Sequence, residues 1–290
     1  MDAKQLVGYM RLMRPINCLM MGIAVIVGAV LADASVIRGN YQPNLLFGFL
    51  TSFLLTAASM AINDYYDREI DAINEPSRPI PSGLIKPRNA LFYAAILTIL
   101  GLTSGLLTSK TATLQCFLTA AFFWLISVIY ATFGKKTGFP GNLLVSACVS
   151  APFIYGSLAT VGTIGANSLI FVSMVFLSNT GREITKGIAD VQGDKARDVK
   201  TLAVLYGEPK AAKVAVLFYL LAVALTPIPP ILRLVSFWFI PLVTITNIGL
   251  ISSSVKLLKD STRESAKKVK NQVLGWFSIG LLAFIAGSAL

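Results

Sequence analysis

The sequence predicts an all-α integral membrane protein, a bundle of about nine transmembrane helices. Of its 290 residues, 55% are apolar and only 13% are charged, whereas soluble proteins average about 25% charged residues. The mean hydropathy is +0.70, and apolar stretches of roughly 20 residues, enough to cross a bilayer, recur along the chain. No separate soluble domain is evident, so residues 1–290 are expected to form a single transmembrane domain.

The predicted spans follow one another along the whole chain. They lie near residues 15–32, 45–63, 90–108, 113–132, 141–160, 166–182, 212–229, 235–255 and 272–290. Four short connections alternate with four long, polar ones, which lie at 64–89, 133–140, 183–211 and 256–271. The boundary between the seventh and eighth spans is the hardest to place, because prolines crowd the turn at positions 227, 229, 230 and 241.

The basic residues predict the orientation of the chain. With the N-terminus in the cytoplasm, all of the 25 Lys and Arg residues except Arg38, Lys110 and Arg233 fall at cytoplasmic loops or helix ends. Such a cytoplasmic excess is the rule in membrane proteins. We therefore expect a multi-pass protein of the cell membrane. The net charge of +11 favours contact with anionic membrane lipids over nucleic acid, and no obligatory protein partner is predicted.

Two acidic motifs follow apolar spans on the predicted cytoplasmic face. The first has aspartates at i, i+3 and i+7, and the second at i, i+4 and i+8, so on a continuous helix each set lies within about 80°. They are Asp64, Asp67 and Asp71 in the first motif, and Asp190, Asp194 and Asp198 in the second. Like charges at these spacings destabilise a helix, so the motifs predict a bound cation. For any one acid, a solvated loop charge is the alternative interpretation.

A magnesium ion, Mg²⁺, fits these motifs best. Its usual ligands are one or two carboxylates plus substrate phosphates. The chain has no histidine and only three cysteines, which argues against softer metals. Bound Mg²⁺ would bridge the acids to a diphosphate, and nearby basic side chains would bind the remaining phosphate oxygens. Asn63, directly before the first acid, is either a helix cap or a support for the acids.

These motifs resemble those of the UbiA superfamily of membrane prenyltransferases. Further motifs match in the same order, namely Arg14-Pro15-x-Asn17, Arg78-Pro79-Ile-Pro81-Ser82-Gly83 and the Tyr130 to Lys135 loop. The resemblance covers nearly the whole chain. It implies a membrane enzyme that transfers a prenyl group from a prenyl diphosphate, in an active site that opens to the cytoplasmic face.

The resemblance also implies roles for individual residues. Mg²⁺ would be held by Asp64, Asp67, Asp71, Asp190 and Asp194. Tyr130 would stabilise an allylic cation with its ring or bind a phosphate with its hydroxyl. The substrates would be bound by Asn17, Asn63, Arg68, Arg78, Lys135, Arg182, Lys186 and Lys195.

Details around the second motif resemble the family members that make archaeal ether lipids. These details are Arg182-Glu183-Ile-x-Lys186, Gly193-Asp194-Lys195 and Lys200-Thr201-Leu202. They imply geranylgeranyl diphosphate as donor and geranylgeranylglyceryl phosphate as the lipid-phosphate acceptor, with a product that is a precursor of archaeal membrane phospholipids.

Two alternatives remain open. The first is a prenyltransferase of the same family with an aromatic acceptor of the quinone, haem or chlorophyll type. The second is a cation transporter, which would place ionisable residues near the middle of the bilayer. The predicted helix cores carry almost no charge, and this favours the enzyme.

Overall fold

The computed structural model describes residues 3–196 and 198–289, and these residues fold almost entirely into helices without any β-strand. The helices are α1 Ala3–Met13, α2 Pro15–Ala32, α3 Gln42–Asn74, α4 Pro87–Leu107, α5 Thr113–Thr132, α6 Phe139–Val161, α7 Ala166–Ala189, α8 Val191–Ala196, α9 Leu202–Tyr206, α10 Glu208–Leu225, α11 Ile228–Ile231, α12 Phe239–Lys259 and α13 Arg263–Ala289. The predicted all-α fold is confirmed.

Among the described residues, eight helices are long and apolar enough to cross a membrane, namely α2, α3, α4, α5, α6, α10, α12 and α13, with the α10 span continuing to Ile231. They expose large apolar side chains such as Phe92, Leu114 and Ile248, which suits a surface that faces lipid. The remaining predicted span, the sixth along the chain at 166–182, lies in α7, which is 24 residues long but carries Arg182, Glu183 and Lys186 near its end. That α7 crosses the membrane stays a prediction.

Several helix boundaries differ from the predicted spans because of proline. Pro43, Pro87 and Pro209 occupy the first turns of α3, α4 and α10, where the missing backbone N–H has no cost. The seventh span was predicted to reach residue 229, but α10 ends at Leu225 and a short helix over Ile228–Ile231 follows. The second span was predicted to end at 63, but α3 continues to Asn74 and therefore includes the first acidic motif.

The helices form two compact units. The first contains α1, α3, α4 and α5, most of α2, and α6 from Pro152 onwards. In it α3 packs against α1, α4 and α5, around a buried cluster of Leu12, Ala61, Ile62, Ile80, Ile85, Ala90, Ala94 and Ala131. Small residues let membrane helices approach closely. For example, a side chain at Gly156 of α6 would come within 2.6 Å of the Ala29 nitrogen in α2.

The second unit contains the first half of α6 and all helices from α7 to α13. Helix α7 packs against α10 and α13, and Gly181 allows the close approach of Tyr219, since a side chain there would lie 2.8 Å from its ring. Tyr219 is fully buried, and its hydroxyl shares a hydrogen bond of 2.9 Å with that of Thr185. This unit therefore combines an apolar core with polar contacts along α7.

Candidate active site

The first acidic motif lies on the last three turns of α3, as the spacing predicted. Asp64, Asp67 and Asp71 all fall inside this helix, which ends at Asn74. The backbone N–H of Glu75 donates to the Asp71 carbonyl oxygen at 2.8 Å and completes the last turn. The continuous helix over the first motif is thus confirmed.

Two arginines neutralise the outer aspartates of this motif. Arg14 Nη2 lies 2.5 Å from Asp64 Oδ1, and Arg78 Nη1 lies 2.6 Å from Asp71 Oδ2 and 3.6 Å from Asp64 Oδ1. The Asp64 and Asp71 side chains are only 4% and 8% exposed, whereas those of Arg14 and Arg78 are 33% and 32% exposed. The two arginines therefore supply part of the positive charge that the clustered aspartates require.

Arg14 stands at an unusual backbone position. It joins α1 to α2 with φ +52° and is followed by Pro15, although a residue before proline normally adopts extended backbone. Its carbonyl oxygen accepts hydrogen bonds from the N–H groups of Asn17 at 3.0 Å and Cys18 at 3.3 Å, which begin α2. This geometry directs the guanidinium toward α3 instead of continuing one long helix.

Arg78 belongs to a compact loop between α3 and α4. Its N–H donates to the Glu75 carbonyl oxygen at 2.9 Å, and its carbonyl oxygen accepts from Ser82 N–H at 3.0 Å. Gly83 turns the loop with φ +76°, a conformation that glycine adopts without strain. Arg11 on α1 donates to the Ser77 carbonyl oxygen at 3.2 Å, so α1 holds the loop as well.

The other predicted residues of the first unit have separate surroundings. Asn63 lies inside α3, so the helix-cap interpretation is wrong. Its side-chain amide donates to Asp67 Oδ2 at 2.9 Å, as a support for the acids would.

The Arg68 guanidinium lies 4.6 Å from the centre of the Tyr65 ring and donates to the Tyr65 carbonyl oxygen and to Glu69. Asn17 is exposed on α2, and Tyr130 is half-buried near the end of α5.

The second motif does not form the predicted continuous stripe, and that prediction was wrong. Helix α7 ends at Ala189, Asp190 is its exposed capping residue, and the half-buried Asp194 lies in the short helix α8. One helical hydrogen bond, from Asp194 N–H to the Asp190 carbonyl oxygen at 2.9 Å, still relates these two acids. Asp198 lies beyond α8 with φ +54°.

The segment that follows α8 is held by a tertiary contact. After α8 the chain turns back, and Lys200 N–H donates to the Lys136 carbonyl oxygen at 3.3 Å in the short 3₁₀ turn Gly134–Thr137. Gly138, with φ +71°, leaves room there because a side chain would collide with the Lys200 carbonyl. The predicted phosphate ligand Lys135 is half-buried in this turn, whereas Lys195 is exposed on α8.

Glu183 is a buried acid that the sequence analysis did not select. Its side chain is 8% exposed, and its carboxylate oxygens lie 3.0 and 2.8 Å from Lys186 Nζ and 3.6 Å from Arg182 Nη1. Arg182 also donates to the Lys270 carbonyl oxygen at 3.3 Å. Glu183 thus brings together two predicted phosphate ligands, and the i, i+3 spacing to Lys186 on a helix was the signal available in the sequence.

Helix α7 carries further buried polar groups one turn before this pair. The Asn179 amide donates to Ser146 Oγ at 3.1 Å, and the Thr180 hydroxyl donates to the same oxygen at 2.9 Å. Polar side chains inside membrane helices are costly and mark functional or packing sites. They also account for the low apolarity of α7.

The acidic groups are chemically suited to Mg²⁺, since they offer only hard oxygen donors. Within residues 3–196 and 198–289, no three His, Cys, Asp or Glu side chains converge into a group that could hold a metal ion. Mg²⁺ is usually held by one or two carboxylates together with substrate phosphates, so a complete protein cage is not required.

The apolar helices and the charged groups define a class: a multi-pass helical membrane protein whose buried carboxylates are held in ion pairs. More specifically, the chain belongs to the UbiA prenyltransferase family, whose model matches residues 21–285. The predictions of a UbiA-type membrane enzyme and of a prenyltransferase are confirmed, and the transporter alternative is set aside.

Two archaeal relatives match nearly the whole chain. Digeranylgeranylglyceryl phosphate synthase from Archaeoglobus fulgidus is 37% identical, over 96% of this chain and 94% of that protein. The synthase of the same name from Methanosarcina mazei is 36% identical, over 96% and 97%.

Solved structures agree with the fold. A structure of digeranylgeranylglyceryl phosphate synthase is 34% identical, with a TM-score of 0.85 over 98% of this chain and 99% of that one. A UbiA homologue from Archaeoglobus fulgidus bound to GPP and Mg²⁺ is 17% identical, with a TM-score of 0.68 over 96% and 99%. At this lower identity the likeness supports the fold alone.

Proposed function

We propose that the chain transfers a geranylgeranyl group from geranylgeranyl diphosphate to geranylgeranylglyceryl phosphate and forms digeranylgeranylglyceryl phosphate. The observation that carries this proposal is the similarity to synthases of that product, at 37% identity over nearly the full length of both proteins. The basic groups of the two units add support, because both substrates bear phosphate.

The reaction breaks the bond between the first prenyl carbon and the diphosphate oxygen, and forms an ether bond from the acceptor hydroxyl oxygen, which loses its proton. When bound, Mg²⁺ supplies positive charge to the departing diphosphate. The candidates to hold it are the acids of both motifs, Asp64, Asp67, Asp71, Asp190 and Asp194. Basic side chains stabilise the charge that develops on the same leaving group.

The remaining residues orient the substrates and protect the reactive cation. Arg68, Lys135 and Lys195 bind phosphate oxygens, and the Tyr130 ring stabilises the positive charge on the allylic fragment. The apolar helices hold the prenyl chains and exclude water, which would otherwise react with the cation. Asn17, in the first turn of α2, and Asn63, inside α3, contribute neutral polar contacts.

The deciding experiment is an acceptor comparison with the purified protein in detergent and labelled geranylgeranyl diphosphate. We expect transfer to geranylgeranylglyceryl phosphate, and strongly reduced transfer to its dephosphorylated form. Aromatic acids serve as the third acceptor class. Preference for an aromatic acceptor, or equal use of the phosphorylated and dephosphorylated lipids, would refute the lipid-synthase proposal and leave the family assignment intact.

We also propose that the N-terminus is cytoplasmic, since the basic residues concentrate on one set of loops. In a variant without Cys18, Cys116 and Cys148, single cysteines would be introduced at Lys86, Lys135, Lys200 and Lys267, with Gly39 as the opposite-side control. The first four should react with an impermeant reagent only from the cytoplasmic side. A mixed result among them contradicts the proposed topology.

A further inference from the structure

We propose that Arg14 and Arg78 form a phosphate-binding fork and that Asp64 and Asp71 are the positioning residues that aim it. The four side chains come from the α1–α2 junction, the end of α3 and the following loop, and three ion pairs of 2.5, 2.6 and 3.6 Å connect them. The inference rests on the proposed function in that the ligand is a phosphate of one of its substrates. Within the set of acids named above, it gives these two a different duty from metal binding.

The order of burial supports this assignment. The Asp64 and Asp71 side chains are 4% and 8% exposed, while each arginine keeps about a third of its side chain exposed. A ligand that arrives from outside therefore meets the guanidinium groups before it meets these carboxylates. Anions suit such a surface, and cations do not.

The hydrogen bonding points the same way. Among the described residues, the ion pairs use one terminal nitrogen of each guanidinium, Nη2 of Arg14 and Nη1 of Arg78. A guanidinium carries five N–H donors in a planar fork that matches phosphate oxygens. Donors remain on both arginines while the two aspartates stay paired.

A metal ion bound at the same two carboxylates would disturb their ion pairs with Arg14 and Arg78. It would either add a further positive charge beside carboxylates that already hold Arg14 and Arg78 at 2.5 and 2.6 Å, or displace these arginines. Breaking a buried ion pair is costly because it leaves an uncompensated charge. Binding a phosphate on the outer side of the arginines keeps every existing pair.

The backbone of Arg14 adds independent support. A non-glycine residue at φ +52° stores roughly 1–3 kcal/mol of strain, which persists only where the surroundings over-determine it. Leu12 and Met13 before it and Cys18 after it are buried, and they fix the chain on both sides. The strained junction is what carries the guanidinium to α3.

The test measures ligand binding without turnover, in detergent, on the full-length protein. The anion arm titrates inorganic diphosphate and glycerol phosphate in metal-free buffer, and the two probes distinguish the donor site from the acceptor site. The metal arm titrates Mn²⁺ without substrate. The variants are Asp64→Asn, Arg14→Asn and Arg78→Gln, with Asp67→Asn as the metal-ligand comparison. Asparagine is chosen at position 14 because it tolerates a positive φ. Glu69→Gln is the control, since Glu69 lies on the same helix and is 85% exposed.

We expect Asp64→Asn to weaken binding of one anion by about tenfold, equivalent to about 1.4 kcal/mol, and to change Mn²⁺ affinity less than twofold. Arg14→Asn should weaken the same anion to a similar extent. Combining the two should add little, because both act on one group. Glu69→Gln should bind both ligands like the wild type.

Two results would overturn the inference. One is a loss of Mn²⁺ affinity in Asp64→Asn as large as that in Asp67→Asn. The other is unchanged binding of both anions in Arg14→Asn and Arg78→Gln, which decides the matter even where Asp64→Asn does not fold. Failure of the proposed function would give a different result. The acceptor comparison would then fail, while the anion titrations would still detect phosphate binding by Arg14 and Arg78.

Discussion

The two acidic motifs have similar spacing in the sequence but solve the problem of charge repulsion differently. In the first, the helix continues, the outer acids are buried, and arginines from other segments pair with them. In the second, the helix ends at Ala189, Asp190 is exposed, and the chain turns away after Asp194. Internal counterions allow the first motif to stay helical, whereas solvent exposure and a helix break relieve repulsion in the second.

This contrast predicts that the first motif contributes to both stability and activity, and that the exposed acid of the second motif contributes to activity alone. Arginines hold two first-motif carboxylates in place, so their removal should affect stability as well as activity. The exposed second-motif acid has little to stabilise, so its removal should affect activity alone.

The largest effect on activity should come from removing the metal, because metal binding is the role proposed for both acidic motifs. Chelator should reduce turnover to background, and excess Mg²⁺ should restore it, because the leaving diphosphate loses its positive charge without a metal. The measurement is release of labelled diphosphate. Full turnover in the presence of chelator would show that neither motif acts by binding a metal.

The contrast itself is tested by stability. Asp64→Asn should lower the free energy of unfolding by about 2 kcal/mol, since it leaves Arg14 without its buried partner. Asp190→Asn should change it by less than about 0.5 kcal/mol. Denaturation in detergent, with Glu69→Gln as a matched exposed control, gives the comparison. Equal losses in the two variants would mean that the motifs do not differ in rigidity.

A smaller effect is expected at Glu183, the acid that orders the basic groups of α7. In Glu183→Gln, Lys186 and Arg182 lose their common partner. The KM for one phosphate-bearing substrate should rise about fivefold with little change in the other, equivalent to about 1 kcal/mol. Glu183→Asp should recover part of the loss. An equal fall in kcat for every substrate, without a change in KM, would contradict a positioning role.

The smallest effect is expected at Asp198, the third acid of the second motif. Since Asp198 has φ +54°, Asp198→Gly should be tolerated and should change stability by no more than about 1 kcal/mol. Turnover should stay within about twofold of the wild type. A large loss of activity would show that the second motif uses all three acids, despite the helix break.

The features that could be predicted from the sequence are those that depend on composition or on the spacing of nearby residues. The fold class follows from composition, and the helix over the first motif follows from the spacing of its acids. The arginine fork could not be predicted, because Arg14 and Asp64 are 50 residues apart and meet only through packing of α1 on α3. The break after Ala189 was missed because the spacing of the second motif's acids carries no signal for it. Glu183 was within reach, because its spacing to Lys186 is local.

The polar character of α7 has a consequence for how the chain is made. Helix α7 carries Arg182, Glu183 and Lys186 near its C-terminal end, and its polar groups are satisfied by contacts with other helices. Its packing partners α10 and α13 are synthesised later, so Thr185 gains its Tyr219 partner only after translation has passed residue 219. Helix α7 therefore cannot complete its native packing until α10 and α13 have been synthesised.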